Sequence, residues 1–222
     1  MEQCCRLIVG MKCGETVSFE YYSMGIRRLK TERELLIFVE NYNRMSKHGR
    51  YQVSDFKLMD VYIYFFKNQA IGGYAINSNH PIGILSDIPL DSEYQSPIDL
   101  SAHKVTETRA VWILNNASEI QRILIYCWSV YHATTKNTDY VVGAVLNKKH
   151  LATQSQAYYG LYWSGVSKPF GDPLNVWVLY GKSWIVLARL PYALILSVVD
   201  RLTRKIVKTY HRKKRSFKKN RK

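Results

Sequence analysis

The clearest periodicity lies at residues 31–42, TERELLIFVENY, where Leu35, Phe38, Val39 and Tyr42 recur at helical spacing. Thr31 and Glu34 stand where a capping box would close the first turn of that helix. Ahead of it, ETVSFEYY (15–22) alternates weakly and reads as a strand. Two β-branched and aromatic runs follow, DVYIYFF (60–66) and AIGGYAIN (70–77), joined by the short turn KNQ in the pattern of a hairpin. Gly72 and Gly73 inside the second run imply a bulge or a close backbone approach. Residues 78–103 hold Pro81, Pro89 and Pro97 and read as a long loop, a kind of segment that often carries binding function.

VTETRAVWIL (105–114) predicts a strand. The next segment predicts a helix with Ile120, Leu124, Cys127, Trp128 and Tyr131 on one face, capped by Asn116 with Glu119 at the third helical position. DYVVGAVLN (139–147) is a continuous apolar run of buried-strand type, and 149–160 reads as helical. LNVWVLY and SWIVLARL, separated by Gly181-Lys182, predict a second hairpin. Pro191 then opens a last helix at its favoured first position. The strand–helix–strand unit at 105–147 should be a right-handed parallel crossover. With hairpins on either side, the fold class is α/β with a mixed sheet of about six or seven strands.

Composition narrows the picture. With 222 residues, 47% hydrophobic and 22% charged, the chain supports one ordinary core. The net charge of +15 is unevenly placed. Residues 201–222 carry twelve Lys/Arg and no acid, leaving 20 basic against 17 acidic residues before them. Such a tail is expected to meet an anionic surface, either nucleic acid or an acidic membrane. Cys4, Cys5, Cys13 and Cys127 form no CxxC pair or Cys/His cluster, so neither a disulfide framework nor a metal site is expected. MEQCCRLIVG lacks the charged start and long apolar core of a signal peptide, which points to a cytoplasmic protein, with a membrane-peripheral location as the second reading. The apolar run Trp184–Val199 is divided by Arg189 and Pro191 and is shorter than the ~20 residues a membrane helix needs. The six histidines form no recognisable triad pattern, and no nucleotide-binding glycine fingerprint is present.

The element order across about 15–190, the hairpin DVYIYFFKNQAIGGYAIN, the 105–147 unit and Asn147 followed by QAYY together resemble the GNAT-type N-acyltransferases. TETRAVWI also resembles the corresponding strand of acyl-homoserine-lactone synthases, a GNAT-like branch that carries an acid and then an Arg there. The resemblance divides the chain into an N-terminal segment (1–14), a GNAT-like domain (15–190), a C-terminal amphipathic helix (191–210) and a basic tail expected to be disordered (211–222). It implies transfer of an acyl group from acyl-CoA or an acyl carrier protein to an amine. Glu107 and Arg109, two apart on one strand face, would be catalytic, with Glu107 as general base directly or through water. Their plainer reading is an ion pair at a sheet end. Tyr158 or Tyr159 matches the tyrosine that protonates the leaving thiolate in many members, against a packing role. Trp112, Ile113, Asn115, Asn116, Gly143 and Asn147 would line the acyl-donor site, Gly143 by letting a pantetheine arm approach two splayed strands. The family's glycine-rich pyrophosphate loop is replaced by Asn115-Asn116-Ala117-Ser118-Glu119. Glycines there let backbone N–H groups reach phosphate, and Glu119 would repel it. CoA is then bound differently, or a carrier protein donates the acyl group, or the domain acts without catalysis, as a nucleic-acid-binding or membrane-associated protein through its basic C-terminus.

Overall fold

The computed structural model describes residues 24–46, 51–89, 98–148, 151, 154–168, 173–196, 199 and 203. The strand expected at 15–22 and the tail from 204 onward lie outside them. Strand β1 (Met24–Arg28) leads into helix α1 (Glu32–Met45), which starts on the capping box read from the sequence. Glu34 N–H donates to Thr31 Oγ1 at 3.3 Å, and Thr31 N–H donates to Glu34 Oε2 at 3.1 Å. Arg27 of β1 pairs with the same carboxylate, so strand, turn and helix meet at one group.

β2 (Asp60–Phe66) and β3 (Gln69–Asn77) form the expected antiparallel hairpin. Lys67 and Asn68 at its turn both have positive φ, the two-residue turn whose twist suits paired strands. Gly72 and Gly73 make the close approaches their sequence implied: a Cβ on either would meet a backbone oxygen at 2.7 Å. β4 (Val105–Ile113), α2 (Glu119–Thr134) and β5 (Tyr140–Val145) form the crossover, and β4 and β5 are parallel. β6 (Gly160–Ser167) and β7 (Leu174–Lys182) complete a seven-stranded sheet in the order β1-β2-β3-β4-β5-β7-β6.

Three expectations are corrected. The α2 cap is Ser118 with Gln121, two residues beyond Asn116 and Glu119. Ala117 N–H donates to Leu114 O at 3.0 Å, so the chain is still turning at 115–116. Second, the hairpin partner of β7 is β6, not 183–190. Gly181 and Lys182 are not a turn but the last residues of β7, paired with Val141 and Tyr140. Residues 183–196 are helix α3, so Pro191 lies inside a helix rather than at its start. A short apolar run such as WIVLARL does not distinguish strand from helix by periodicity. Third, the buried face of α2 is Ile123, Ile125, Val130 and Ala133, while Ile120, Trp128 and Tyr131 are exposed. α2 carries apolar residues on nearly every side, so its period does not single out the inner one.

α1 packs Phe38 and Val39 on Val61, Ile63, Ala75 and Trp112 of one sheet face. On that same face, Ile82, Ile84 and Leu100 of the long loop cover Val105, Val142 and Val178. α2 and α3 cover the opposite face, where Ile125, Val130, Val186 and Ala193 meet Tyr74, Ile76, Val141 and Leu179. Each fully buried Val, Ile, Leu or Phe among them contributes about 1.5–3 kcal/mol. Gly181 has a packing role here: a Cβ would lie 2.3 Å from Val186, so its absence lets α3 seat against β7.

Candidate active site

β4 and β5 pair only from Val105–Thr108 to Tyr140–Gly143. Both strands continue, to Ile113 and Val145, without pairing to each other. A bulge accompanies the separation. Between Gly73 and Ala75, β3 faces an extra residue of β4, and Ala110 takes a φ of 50°. An extra residue bends and twists the strand that carries it. For a residue with a Cβ this conformation costs about 1–2 kcal/mol. The gap opens into a cavity of about 320 Å³, lined by residues from both faces of the sheet.

On the α1 face the lining is charged and hydrogen-bonded. Glu107 is 2% exposed. Its Oε2 accepts from Gly83 N–H at 3.1 Å and from Asn77 Nδ2 at 3.5 Å, and its Oε1 accepts from Ile84 N–H at 3.2 Å. Arg109 Nη1 lies 3.9 Å from Oε2. Burial pushes the Glu107 pKa up, and Arg109 and these donors oppose the rise. Arg109 Nε donates to Tyr51 Oη at 3.1 Å, and its guanidinium lies over the Tyr51 ring. Burial disfavours the Arg109 charge, but Glu107, Tyr51 and Asp87 hold its pKa above the ordinary value. The guanidinium sits against Gly83, where a Cβ would come within 1.9 Å of Nη1.

On the α2 and α3 face the lining is mostly apolar: Ile123, Cys127, Val130, Leu190 and Ala193. Tyr158 crosses this side and its hydroxyl meets Gly143, where a Cβ would be 2.9 Å away. Full burial pushes the Tyr158 pKa up to about 12. The Thr108 hydroxyl beside it offsets part of that rise, yet it is buried and makes no hydrogen bond of regular geometry to any described residue.

The structure therefore brings Glu107, Arg109, Tyr158, Gly143 and Asn147 to one cavity. Tyr159 is elsewhere: its hydroxyl accepts from Lys182 N–H at 3.2 Å and its ring packs on Tyr180. Trp112 lies in the core against Phe38, because the bulge turns it toward α1. Ile113 packs into the α2 side of the core. Asn115 and Asn116 are exposed in the β4–α2 turn. Tyr51, Thr108 and Cys127 line the cavity and were not read from the sequence as site residues. Tyr51 sits in a stretch without periodicity among 17 tyrosines, and Thr108 is marked only by its place between Glu107 and Arg109.

The β4–α2 turn is committed to itself. Ser118 Oγ accepts from Gln121 N–H and Gln121 Oε1 accepts from Ser118 N–H. Arg122 donates to the carbonyl oxygens of Leu114, Asn115 and Ala117 at 2.8–3.2 Å. A diphosphate gripped at this helix N-terminus does not fit an arrangement whose cationic side chain is turned onto carbonyls. The gap between β4 and β5 carries no such group, and the Thr108 hydroxyl lies on it beside Tyr158. Among the described residues no group of His, Cys, Asp and Glu could hold a metal ion.

No protein-family model matches the chain, and no curated protein matches it by sequence. Solved structures do match. FeeM, an N-acyl amino acid synthase from uncultured soil microbes, superposes with a TM-score of 0.55 at 14% identity, over 79% of this chain and 97% of its own. The fold is that of the GNAT-type N-acyltransferases. An uncharacterized protein of Bacillus halodurans matches with a TM-score of 0.52 at 8% identity, over 78% of this chain and 91% of its own. The Salmonella typhimurium protein yncA, solved with its cofactor acetyl-CoA, matches with a TM-score of 0.50 at 9% identity, over 73% of this chain and 95% of its own. The separated β4 and β5, and the cavity between them, lie in the middle of the seven-stranded sheet.

Proposed function

We propose that this protein is an acyltransferase that moves an acyl group from a thioester to an amine. The observation that carries this reading is the cavity through the sheet beyond Thr108 and Gly143, with a charged pair on one side and a buried tyrosine on the other. The acyl thioester supplies the electrophilic carbonyl, and its apolar chain suits the wall of α2 and α3. The amine enters on the Glu107 side. It must lose a proton to attack, and a buried carboxylate of raised pKa is a suitable acceptor, directly or through water. Arg109 holds that carboxylate in place and, with Tyr51, supplies positive potential where the carbonyl oxygen gains charge. The C–N bond forms, the C–S bond breaks, and the proton removed from the amine is the one the thiol finally carries.

Tyr158 acts by hydrogen bonding in this scheme. With a pKa of about 12 it stays protonated at neutral pH. Full proton delivery to a thiolate of pKa ~8.5 would run uphill. A donated hydrogen bond to sulfur as charge builds on it does not.

The self-capped turn before α2 favours an acyl carrier protein over CoA as donor, because the carrier presents pantetheine without the adenosine diphosphate. The test is release of free thiol from acyl-CoA and from acylated carrier protein, each with a panel of primary amines. Amide formation from the carrier-bound acyl group is expected. Absence of amide and thiol with every donor would overturn the reading. Equal use of CoA would keep acyl transfer and remove the carrier preference.

A further inference from the structure

The outer side of α3 is apolar where a surface helix is ordinarily polar. Only Arg189 is charged in 183–196, and it is half-buried. At a rotation of about 100° per residue, Val186, Leu190 and Ala193 fall on the sheet side. Trp184, Tyr192 and Ile195 fall on the opposite side, with Leu187 at its edge, and they are 70%, 58%, 59% and 40% exposed. α2 packs beside α3 on the same face of the sheet, with Ser183 Oγ donating to Thr134 O at 3.0 Å. Its outward residues are also apolar: Ile120, Trp128 and Tyr131 are exposed. The two helices thus present a joint apolar surface pointing away from the core, and patches of this kind mark interaction sites.

We infer that this surface seats the protein on an anionic lipid bilayer, with α2 and α3 lying flat in the interface. Charge decides between a bilayer and other occupants. The chain that continues from α3 carries twelve Lys/Arg and no acid in residues 201–222. A cluster of basic residues next to an apolar helix surface is the combination that binds acidic headgroups and buries side chains beneath them together. Trp184, Tyr192, Trp128 and Tyr131 add aromatic rings of the type that concentrates at the membrane–water boundary. None of the described helices is long and apolar enough to cross a membrane, so α3 lies on the bilayer rather than through it. The surface is separate from the cavity lining residues of the same helices, and the inference stands without the acyl-transfer reading.

The experiment is flotation of the full-length protein with phosphatidylcholine vesicles, with and without phosphatidylglycerol. Trp fluorescence is read in parallel with lipids brominated along the acyl chain. The protein is expected to float with the anionic vesicles only, and to show acyl-chain quenching that shrinks in Trp184→Phe. Leu187→Glu combined with Ile195→Glu should weaken partitioning about tenfold or more, the scale of two charges placed at the interface. Both positions face solvent, so the melting temperature of that variant should match the parent. Three results would overturn the inference. The protein does not float on anionic vesicles, or the double variant floats as the parent does and the tail alone binds, or the parent is a dimer that the double variant dissociates, placing a second copy on the surface. The quenching of the parent needs no variant and decides the matter if the double variant is unstable.

Discussion

The two sides of the sheet meet the same gap in opposite ways. On the α1 side the Glu107–Arg109 pair is anchored before any substrate arrives. Glu107 is held by the Gly83 and Ile84 N–H groups, and Arg109 by Tyr51. On the α2 and α3 side the wall is apolar, and the Thr108 hydroxyl has no regular partner among the described residues. A preorganised charge stabilises developing charge without reorganising as the reaction proceeds. An apolar wall with one spare hydroxyl instead gains its partners from what enters. In the proposed reaction this difference gives nucleophile handling to one side and the acyl chain to the other, and it can be broken one residue at a time.

The largest effect is expected at Glu107. Glu107→Gln should lower amide formation by about 10²–10⁴-fold, the range for a lost general base. It should also cost about 1–3 kcal/mol of stability, because both carboxylate oxygens accept backbone N–H groups and an amide would present a donor to one of them. Linkage provides a second readout. Burial raises the pKa of Glu107 in the folded protein. Its contribution to stability is therefore full below the unfolded value of ~4.3 and is lost as pH rises through the raised folded value. Thermal melts from acid to neutral pH should show this decline in the parent and not in the variant. Parallel curves would mean that Glu107 titrates as in the unfolded chain.

Gly143→Ala tests the boundary between the sides. The new methyl meets the Tyr158 hydroxyl at 2.9 Å and its ring carbon at 3.3 Å. Tyr158 must move into the gap, at a cost of about 1–3 kcal/mol. Activity should fall more for long acyl donors than for short ones, since the displaced ring occupies the acyl side. An equal fall for all chain lengths would place the acyl chain elsewhere.

Much of this arrangement was legible where the causes are local. The Thr31–Glu34 box, the β2–β3 hairpin and the β4–α2–β5 crossover each rest on residues within a few positions of one another. The cavity was expected only through the resemblance, which implied two splayed strands at Gly143, and no local pattern marks it. It depends on Ala110 adopting a left-handed φ, which no glycine announces, and on β4 and β5 parting after Gly143. β6 escaped because its outward Leu161 and Val166 blur the alternation of an edge strand. The first half of α3 reads as a strand because its outer side is as apolar as its inner side, whereas the helix read from Pro191 onward is present over 191–196. Trp112 and Arg109 look like neighbours of one kind in the sequence, but the bulge between them gives one to the core and the other to the cavity.

Tyr158→Phe should have a smaller effect than Gly143→Ala on stability and lower turnover by up to about tenfold, the scale of one lost hydrogen bond. Tyr159→Phe should leave turnover unchanged, since its hydroxyl meets the β7 end at Lys182, away from the cavity. Equal losses in thiol-release rate for the two variants would remove Tyr158 from the chemistry.

Ala110→Gly should have the smallest effect of all, and its smallness is informative. Glycine relieves about 1–2 kcal/mol of left-handed strain. It forfeits about 0.8 kcal/mol for one buried methyl and about 0.5–1 kcal/mol in backbone entropy. These nearly cancel, so denaturant melts should agree with the parent to within about 1 kcal/mol. The bulge geometry is as open to glycine as to alanine, so the gap between β4 and β5 should survive and turnover should change little. If Ala110→Gly instead abolished turnover while the melt stayed put, the alanine methyl would be holding the strands apart. The separation of the two sides would then rest on that single contact rather than on the register of the bulge.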